Sequence, residues 1–316
     1  MKAKYRSNLP QMKGGTFLSD GGMETTLIFH EGTDLPHFAS FVLLSTPEGR
    51  RQLKDYYTKY LEIACERGVG FILDSATWRA NPDWAEKLGY DADALDAINR
   101  AAIELLVELR NAFETPSTKC VVSGAIGPRG DGYKADRMTA DEAEAYHSGQ
   151  IRTFAGTEAD MVAAYTLTNV DEAIGIARSA KAQGMPCAIS FTVETDGRLV
   201  TGPTIREAIE ATDRATGSSA VYYMINCAHP SHFAGELRSG GEWMKRILGI
   251  RANASAKSHA ELDNSEALDA GDPQDLGKRY AALMRTLPSL KILGGCCGTD
   301  HRHVSAMCEA VLPAAA

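Results

Sequence analysis

Short apolar runs rich in β-branched residues recur along this chain, and most are followed by a segment of helical periodicity. The runs are T-F-L-S-D (16–20), G-F-I-L-D-S (70–75), C-V-V-S-G-A (120–125) and D-M-V-A-A-Y-T-L (160–167). They continue with C-A-I-S-F-T-V (187–193), A-V-Y-Y-M-I-N (220–226), I-L-G-I-R-A-N (247–253) and L-K-I-L-G-G (290–295). Each is a few residues long and largely apolar on both faces, the pattern of parallel strands covered on both sides. Helical patterns fall between them at 46–67, 93–114, 139–158, 170–183, 204–216 and 272–287. Ser45-Thr46-Pro47 and Thr139 with Asp141 and Glu142 read as helix starts, since such side chains satisfy the free amides of a first turn. About eight strand–helix units in 316 residues predict an α/β chain, a single (β/α)8 TIM-type barrel domain over 1–316. A doubly wound open sheet is the competing arrangement. The count of eight and the lack of a G-x-G-x-x-G after the first run weigh against it.

Hydrophobic residues make up 44% of the chain and charged residues 23%, enough for a sizeable core. A net charge of −8, with scattered basic residues, argues against nucleic acid or an anionic membrane as partner. No stretch has the length of a bilayer span, and the basic N-terminus lacks an apolar segment behind it. The expectation is a cytoplasmic protein acting on small molecules, and a homo-oligomer is compatible with it. Seven cysteines are too sparse for a disulfide scaffold, so a cluster of them points to metal binding or chemistry.

Three loop-like regions, 78–91, 127–138 and 252–272, follow strands and would lie at the C-terminal mouth of a barrel, where such folds build their sites. Cys227 ends the sixth run and the adjacent pair Cys296–Cys297 ends the eighth, so a barrel brings three thiols to one rim. Three thiolates with a vacant fourth position can hold zinc ready for an incoming ligand. Adjacent residues of a strand point to opposite faces, so the pair shares a metal only if the backbone bends. Gly294, Gly295 and Gly298 are expected to allow that bend and to leave room beside the metal. The competing reading makes all three ordinary buried cysteines. Cys65, Cys120, Cys187 and Cys308 read as core residues. D-G-G at 20–22 is either a tight turn or a binding turn at the functional rim.

Taken together, G-G-C-C-G-T after a strand, N-C at the end of an earlier one and D-G-G-M-E-T near the N-terminus resemble the homocysteine S-methyltransferase family. That family includes betaine–homocysteine and S-methylmethionine–homocysteine methyltransferases and the homocysteine domain of cobalamin-dependent methionine synthase. The resemblance spans nearly the whole chain, from Asp20 to Gly298. It implies a zinc (β/α)8 barrel in which Cys227, Cys296 and Cys297 bind Zn2+ and the substrate thiol completes the tetrahedron. It also implies that Asp20 and Gly21 meet the amino-acid end of the thiol. Thr77 would contact its carboxylate, and Asn226 would support the metal site. Glu24 is a weaker candidate, which can equally start the next helix.

The implied activity is methyl transfer from an onium donor to homocysteine, giving methionine; no catalytic residue is expected beyond the zinc-activated substrate thiol. A free thiol is mostly protonated at neutral pH, whereas zinc binds it as thiolate. A small betaine or sulfonium donor is favoured, because no Rossmann fingerprint is visible and the length leaves no room for folate and cobalamin modules. Trp78, Trp84 and Tyr133 would either face such a cation through their π-systems or simply cover the rim. One departure stands out. The family's fourth strand ends in a glutamate for the substrate ammonium, and Tyr165 occupies that place here; Asp74, near the end of the second run, would either compensate or cap a loop. A phenol offers no full negative charge, which keeps a different thiol as an alternative substrate. A non-catalytic zinc- or thiol-binding protein is a further alternative. His229, His232, His301 and His303 follow the cysteines but read as loop or helix-start residues.

Overall fold

The computed structural model describes residues 2–134, 137–265 and 267–312. Eight parallel strands close into a barrel in chain order. They are β1 (Phe17–Leu18), β2 (Gly70–Asp74), β3 (Cys120–Ile126), β4 (Met161–Leu167), β5 (Cys187–Phe191), β6 (Tyr222–Asn226), β7 (Ile247–Ala252) and β8 (Ile292–Gly295). Closure comes from β1 against β8, in the register Phe17 to Ile292 and Leu18 to Leu293. Eight longer helices follow the strands in turn: α1 (Pro47–Arg67), α2 (Ala92–Phe113), α3 (Ala140–Ala155), α4 (Val170–Ala182), α5 (Ile205–Thr216), α6 (Pro230–Leu237), α7 (Pro273–Thr286) and α8 (His301–Val311). Each expected strand is present, and the expected (β/α)8 barrel is the fold.

The helix starts follow from side-chain capping. Thr46 accepts from the Gly49 amide ahead of α1, and Thr139 and Glu142 form a reciprocal capping box ahead of α3. The loop expected at 78–91 contains a short helix, Pro82–Lys87, begun by Asn81 as cap and Pro82 as first residue. The loops expected at 127–138 and 252–272 run partly outside the described residues, and the second contains a short helix at His259–Asp263.

Strand periodicity sorts the core into two layers. One face packs on the helices, for example Phe71, Leu73, Ile189, Phe191 and Ile250. The other fills the barrel, with Ile72, Val121, Ala125, Met161, Ala163, Tyr165, Tyr222, Met224 and Ile292. Asp74, Asn226 and Arg251 share the inward parity of Ile72, Met224 and Gly249, so the top interior layer is polar while the lower ones are apolar. The N-terminal segment closes the other end. Leu9 joins the interior cluster and Gln11 Nε2 reaches Met161 Sδ at 3.2 Å. Tyr5 N donates to Asp160 Oδ1 at 2.6 Å, and Asp160 Oδ2 also takes Arg110 Nη1 at 3.1 Å. Among the described residues no helix is long and apolar enough to cross a membrane.

Candidate active site

At the C-terminal rim Cys227, at the end of β6, meets Cys296 and Cys297, just beyond β8. Their three sulfurs lie within 4.8 Å of one another, forming the one such group of possible metal ligands among the described residues. Cys227 and Cys296 are joined as a disulfide with Cα atoms 5.3 Å apart, and Cys297 is a free thiol. A tetrahedral centre with thiolates at about 2.3 Å needs sulfurs about 3.8 Å apart, so the three positions fit a metal once the disulfide is reduced.

The bend that brings adjacent cysteines together is local. Thr299 turns the chain back onto the Cys296 carbonyl through its amide at 3.1 Å and hydroxyl at 2.7 Å, and Gly298 takes a left-handed φ of 78°. Gly294 and Gly295 depart from expectation. Neither has a positive φ, and a side chain on either would strike Ser19 or Thr299, so they allow close approach of β1 and the turn rather than room beside a metal. Cys227 carries a left-handed φ of 51°, unusual for a residue with a Cβ. Its carbonyl accepts from Thr192 Oγ1 at 3.2 Å and Asn253 Nδ2 at 3.1 Å, and lies 2.6 Å from His259 Nε2. Those partners hold the strained backbone. Asn226 accepts from Thr166 N and Ser190 Oγ at 2.9 and 2.7 Å, tying together the ends of β4, β5 and β6.

The cysteines open onto a cavity of about 230 Å³ whose lining includes Asp20, Gly21, Glu24, Asp74, Tyr165 and Arg251. Arg251 sits between two carboxylates, donating from Nη2 to Asp20 Oδ1 at 2.7 Å and from Nη1 to Asp74 Oδ2 at 2.8 Å. Tyr165 donates its hydroxyl to the same Asp74 oxygen at 2.7 Å, and Tyr56 donates to Asp20 Oδ2 at 2.9 Å. Burial raises the Asp20 pKa to about 6 against the opposing pull of Arg251, so Asp20 is mostly ionised at neutral pH. Burial alone would lower the Arg251 pKa, but Asp20, Tyr165 and Asp74 raise it well above its usual value. Burial pushes the Cys297 thiol up to about 11, opposed by a hydrogen bond with Tyr133.

Not every expected residue takes its expected place. Asp20, Gly21, Tyr165 and Asn226 line the cavity with the three cysteines. Thr77 does not: it is fully buried, and its hydroxyl donates to the Ala125 carbonyl at 2.7 Å and pairs with Ser75 Oγ at 2.6 Å. Ser75 and Ala76 face the cavity in its stead. Trp78 and Tyr133 line the mouth, but Trp84 stacks against Arg79 and Lys87, each 4.0 Å from its ring centre. Arg79 also covers Trp78 at 4.9 Å, so the cation held by both indoles is the protein's own. Glu24 accepts from Ser40 Oγ at 2.7 Å. His229 caps α6 and His303 pairs with Asp300 at the start of α8. Cys120, Cys187 and Cys308 are buried, and Cys65 lies half-buried on α1. Sequence reasoning passed over Arg251, Arg79 and His259; a charge inside the apolar run I-L-G-I-R-A-N was the available signal for the first.

A parallel (β/α)8 barrel with three cysteines gathered at its C-terminal rim sets a group of possible metal ligands beside a small-molecule cavity. The sequence profile described as Homocysteine S-methyltransferase matches residues 17–311, and the chain belongs to that family. Homocysteine S-methyltransferase 4 of Zea mays is 24% identical over 94% of this chain and 90% of its own. Selenocysteine Se-methyltransferase of Brassica oleracea var. italica is 23% identical over 93% and 88%. The metallated form of the homocysteine methyltransferase MmuM from Escherichia coli superposes with a TM-score of 0.74 at 19% identity, covering 96% of this chain and 99% of that one. At that identity the likeness concerns the fold.

Proposed function

We propose that this chain is a zinc-dependent S-methyltransferase, acting as one barrel domain in the cytoplasm, that moves a methyl group from a small onium donor to homocysteine and yields methionine. The observation that carries the reading is the approach of three cysteine sulfurs within 4.8 Å beside the buried Asp20 and Gly21. Cys227, Cys296 and Cys297 would hold zinc in the reduced state, and zinc would supply a substrate sulfur kept as thiolate at neutral pH. Asp20 offers a carboxylate to the substrate ammonium, and Gly21 brings backbone close without a side chain. Asn226 fixes the strand ends that aim Cys227. In the transfer a sulfur–methyl bond forms and the methyl–onium bond breaks, its electron pair leaving with a neutral amine or sulfide. The thiol proton passes to solvent.

One observation favours a second reading, in which the acceptor is a different thiol or a selenol. Tyr165 directs its single proton to Asp74, and Arg251 already binds both Asp20 and Asp74. An incoming ammonium meets carboxylates that are partly neutralised. A panel settles the choice: homocysteine, cysteine and selenocysteine as acceptors, each with betaine, S-methylmethionine and S-adenosylmethionine, followed by mass spectrometry of the product. Methionine from homocysteine with one of these donors is the expected outcome. Turnover only with another acceptor selects the second reading, and no turnover with any pair sinks both.

A further inference from the structure

Arg79 stands out at the mouth of the cavity. It lies in the loop after β2, half-buried, with its guanidinium 4.0 Å from the centre of Trp84 and 4.9 Å from that of Trp78. Arg110 and Arg251, the fully buried arginines among the described residues, both bind carboxylates. No hydrogen bond or ion pair joins Arg79 to any described residue, and its Nε is shut away from solvent without an acceptor. Stacking engages the flat faces of a guanidinium. Its N–H donors lie in the plane, where their spacing matches the two oxygens of a carboxylate, and Arg79 lines the cavity.

The surroundings narrow the ligand. Burial lowers the Arg79 pKa, while Asp131, Glu24 and Asp263 lie close enough to oppose that shift, and all three acids line the same cavity. None bonds to it. Asp131 takes Lys134 and the Tyr133 amide, and Glu24 takes Ser40. Among the described residues the mouth thus sets an unpaired Arg79 among acidic groups a short way off, the complement of a small zwitterion.

We propose that Arg79 binds the carboxylate of a zwitterionic substrate at the mouth, while the neighbouring acids face its positive centre. The inference rests on the methyltransferase reading for the identity of that substrate: the carboxylate comes from the onium donor or from the amino-acid thiol. Arg79 thereby selects carboxylate-bearing substrates over cationic analogues that lack the group.

The test uses the full chain, reduced and zinc-loaded, as wild type, Arg79→Gln and Arg79→Lys, with thermal unfolding as the check on folding. Calorimetric titrations compare glycine betaine with tetramethylammonium, and homocysteine with 3-aminopropane-1-thiol. Wild type should prefer the carboxylated member of one pair by about 10- to 100-fold, the range of a charge-assisted hydrogen bond. Arg79→Gln should abolish that preference and Arg79→Lys restore part of it. The pair affected assigns the carboxylate to donor or thiol. Equal affinity or no binding in both pairs for wild type, or a preference that survives Arg79→Gln, overturns the proposal. Binding is read without turnover, so a protein that selects the carboxylate yet transfers no methyl group sinks the methyltransferase reading and leaves this one standing.

Discussion

The two ends of the barrel use the same kinds of residue for different ends. At the closed end Asp160 accepts from the Tyr5 and Val122 amides and from Arg110, so one carboxylate locks the N-terminal segment, β3 and α2 together. At the open end Arg251 also bridges acids, but Asp20 and Asp74 there border a cavity. Around them stand a cysteine triad, a left-handed Cys227 and Thr166, and an arginine whose Nε has no acceptor among the described residues. The closed end anchors backbone with its charges; the open end turns them toward space. The closed end has its own unpartnered Arg110 Nε and left-handed Ser218, so what sets the open rim apart is that its strained and unpartnered groups border a cavity.

The comparison breaks most readily at the metal. Cys297→Ala should take bound zinc from about one per chain to near none by elemental analysis. Activity should fall by more than the roughly 10- to 100-fold that losing only a supporting partner of a metal ligand costs. A variant that keeps both would reduce the triad to core cysteines.

Next come the two buried arginines. Arg251→Met strands two carboxylates, and Arg110→Met strands Asp160; each should cost about 3–5 kcal/mol in urea unfolding. The difference should appear in kinetics. Arg110→Met should leave kcat/KM of the folded protein intact, whereas Arg251→Met should change thiol affinity because Asp20 loses its partner. Equal kinetic damage from both would erase the distinction between the ends.

A smaller effect follows from Asp20. Its folded pKa of about 6 lies above the ordinary 3.8, so between these values the folded state binds more protons than the unfolded one. This group therefore contributes stability at low pH that is lost as pH rises toward 6. Its ability to pair with an ammonium runs the other way. KM for an amino-acid thiol should rise as pH falls below about 6, and Asp20→Asn should flatten that profile. Smallest of all, Thr77→Val should cost about 1 kcal/mol for its buried hydrogen bond and leave KM for the thiol unchanged. A large rise in KM would return Thr77 to the substrate.

Much of this was legible in the chain itself. The run C-V-V-S-G-A can only be a covered strand, and Thr139 three residues before Glu142 can hardly avoid starting a helix. Helix α6 was less visible, because eight residues carry little periodicity and only His229-Pro230 marks its start. Thr77 was misplaced because the chain turns just after β2, with its amide bonded to the Ser75 carbonyl at 2.8 Å, and the hydroxyl points into the wall. Arg79 gave no sign at all, since an arginine in a loop is ordinarily solvated.

Local pattern by itself determined the barrel and the rim to which Cys227, Cys296 and Cys297 belong, because hydrophobic period and capping act over a few neighbouring residues. Only the closed tertiary structure decided what those residues meet. Arg251 reaches Asp20 across 231 positions of sequence and Asp74 across 177. Arg79 meets the two indoles only in the folded barrel. Charge pairing and desolvation depend on separations in space, and the closing of β1 onto β8 sets them.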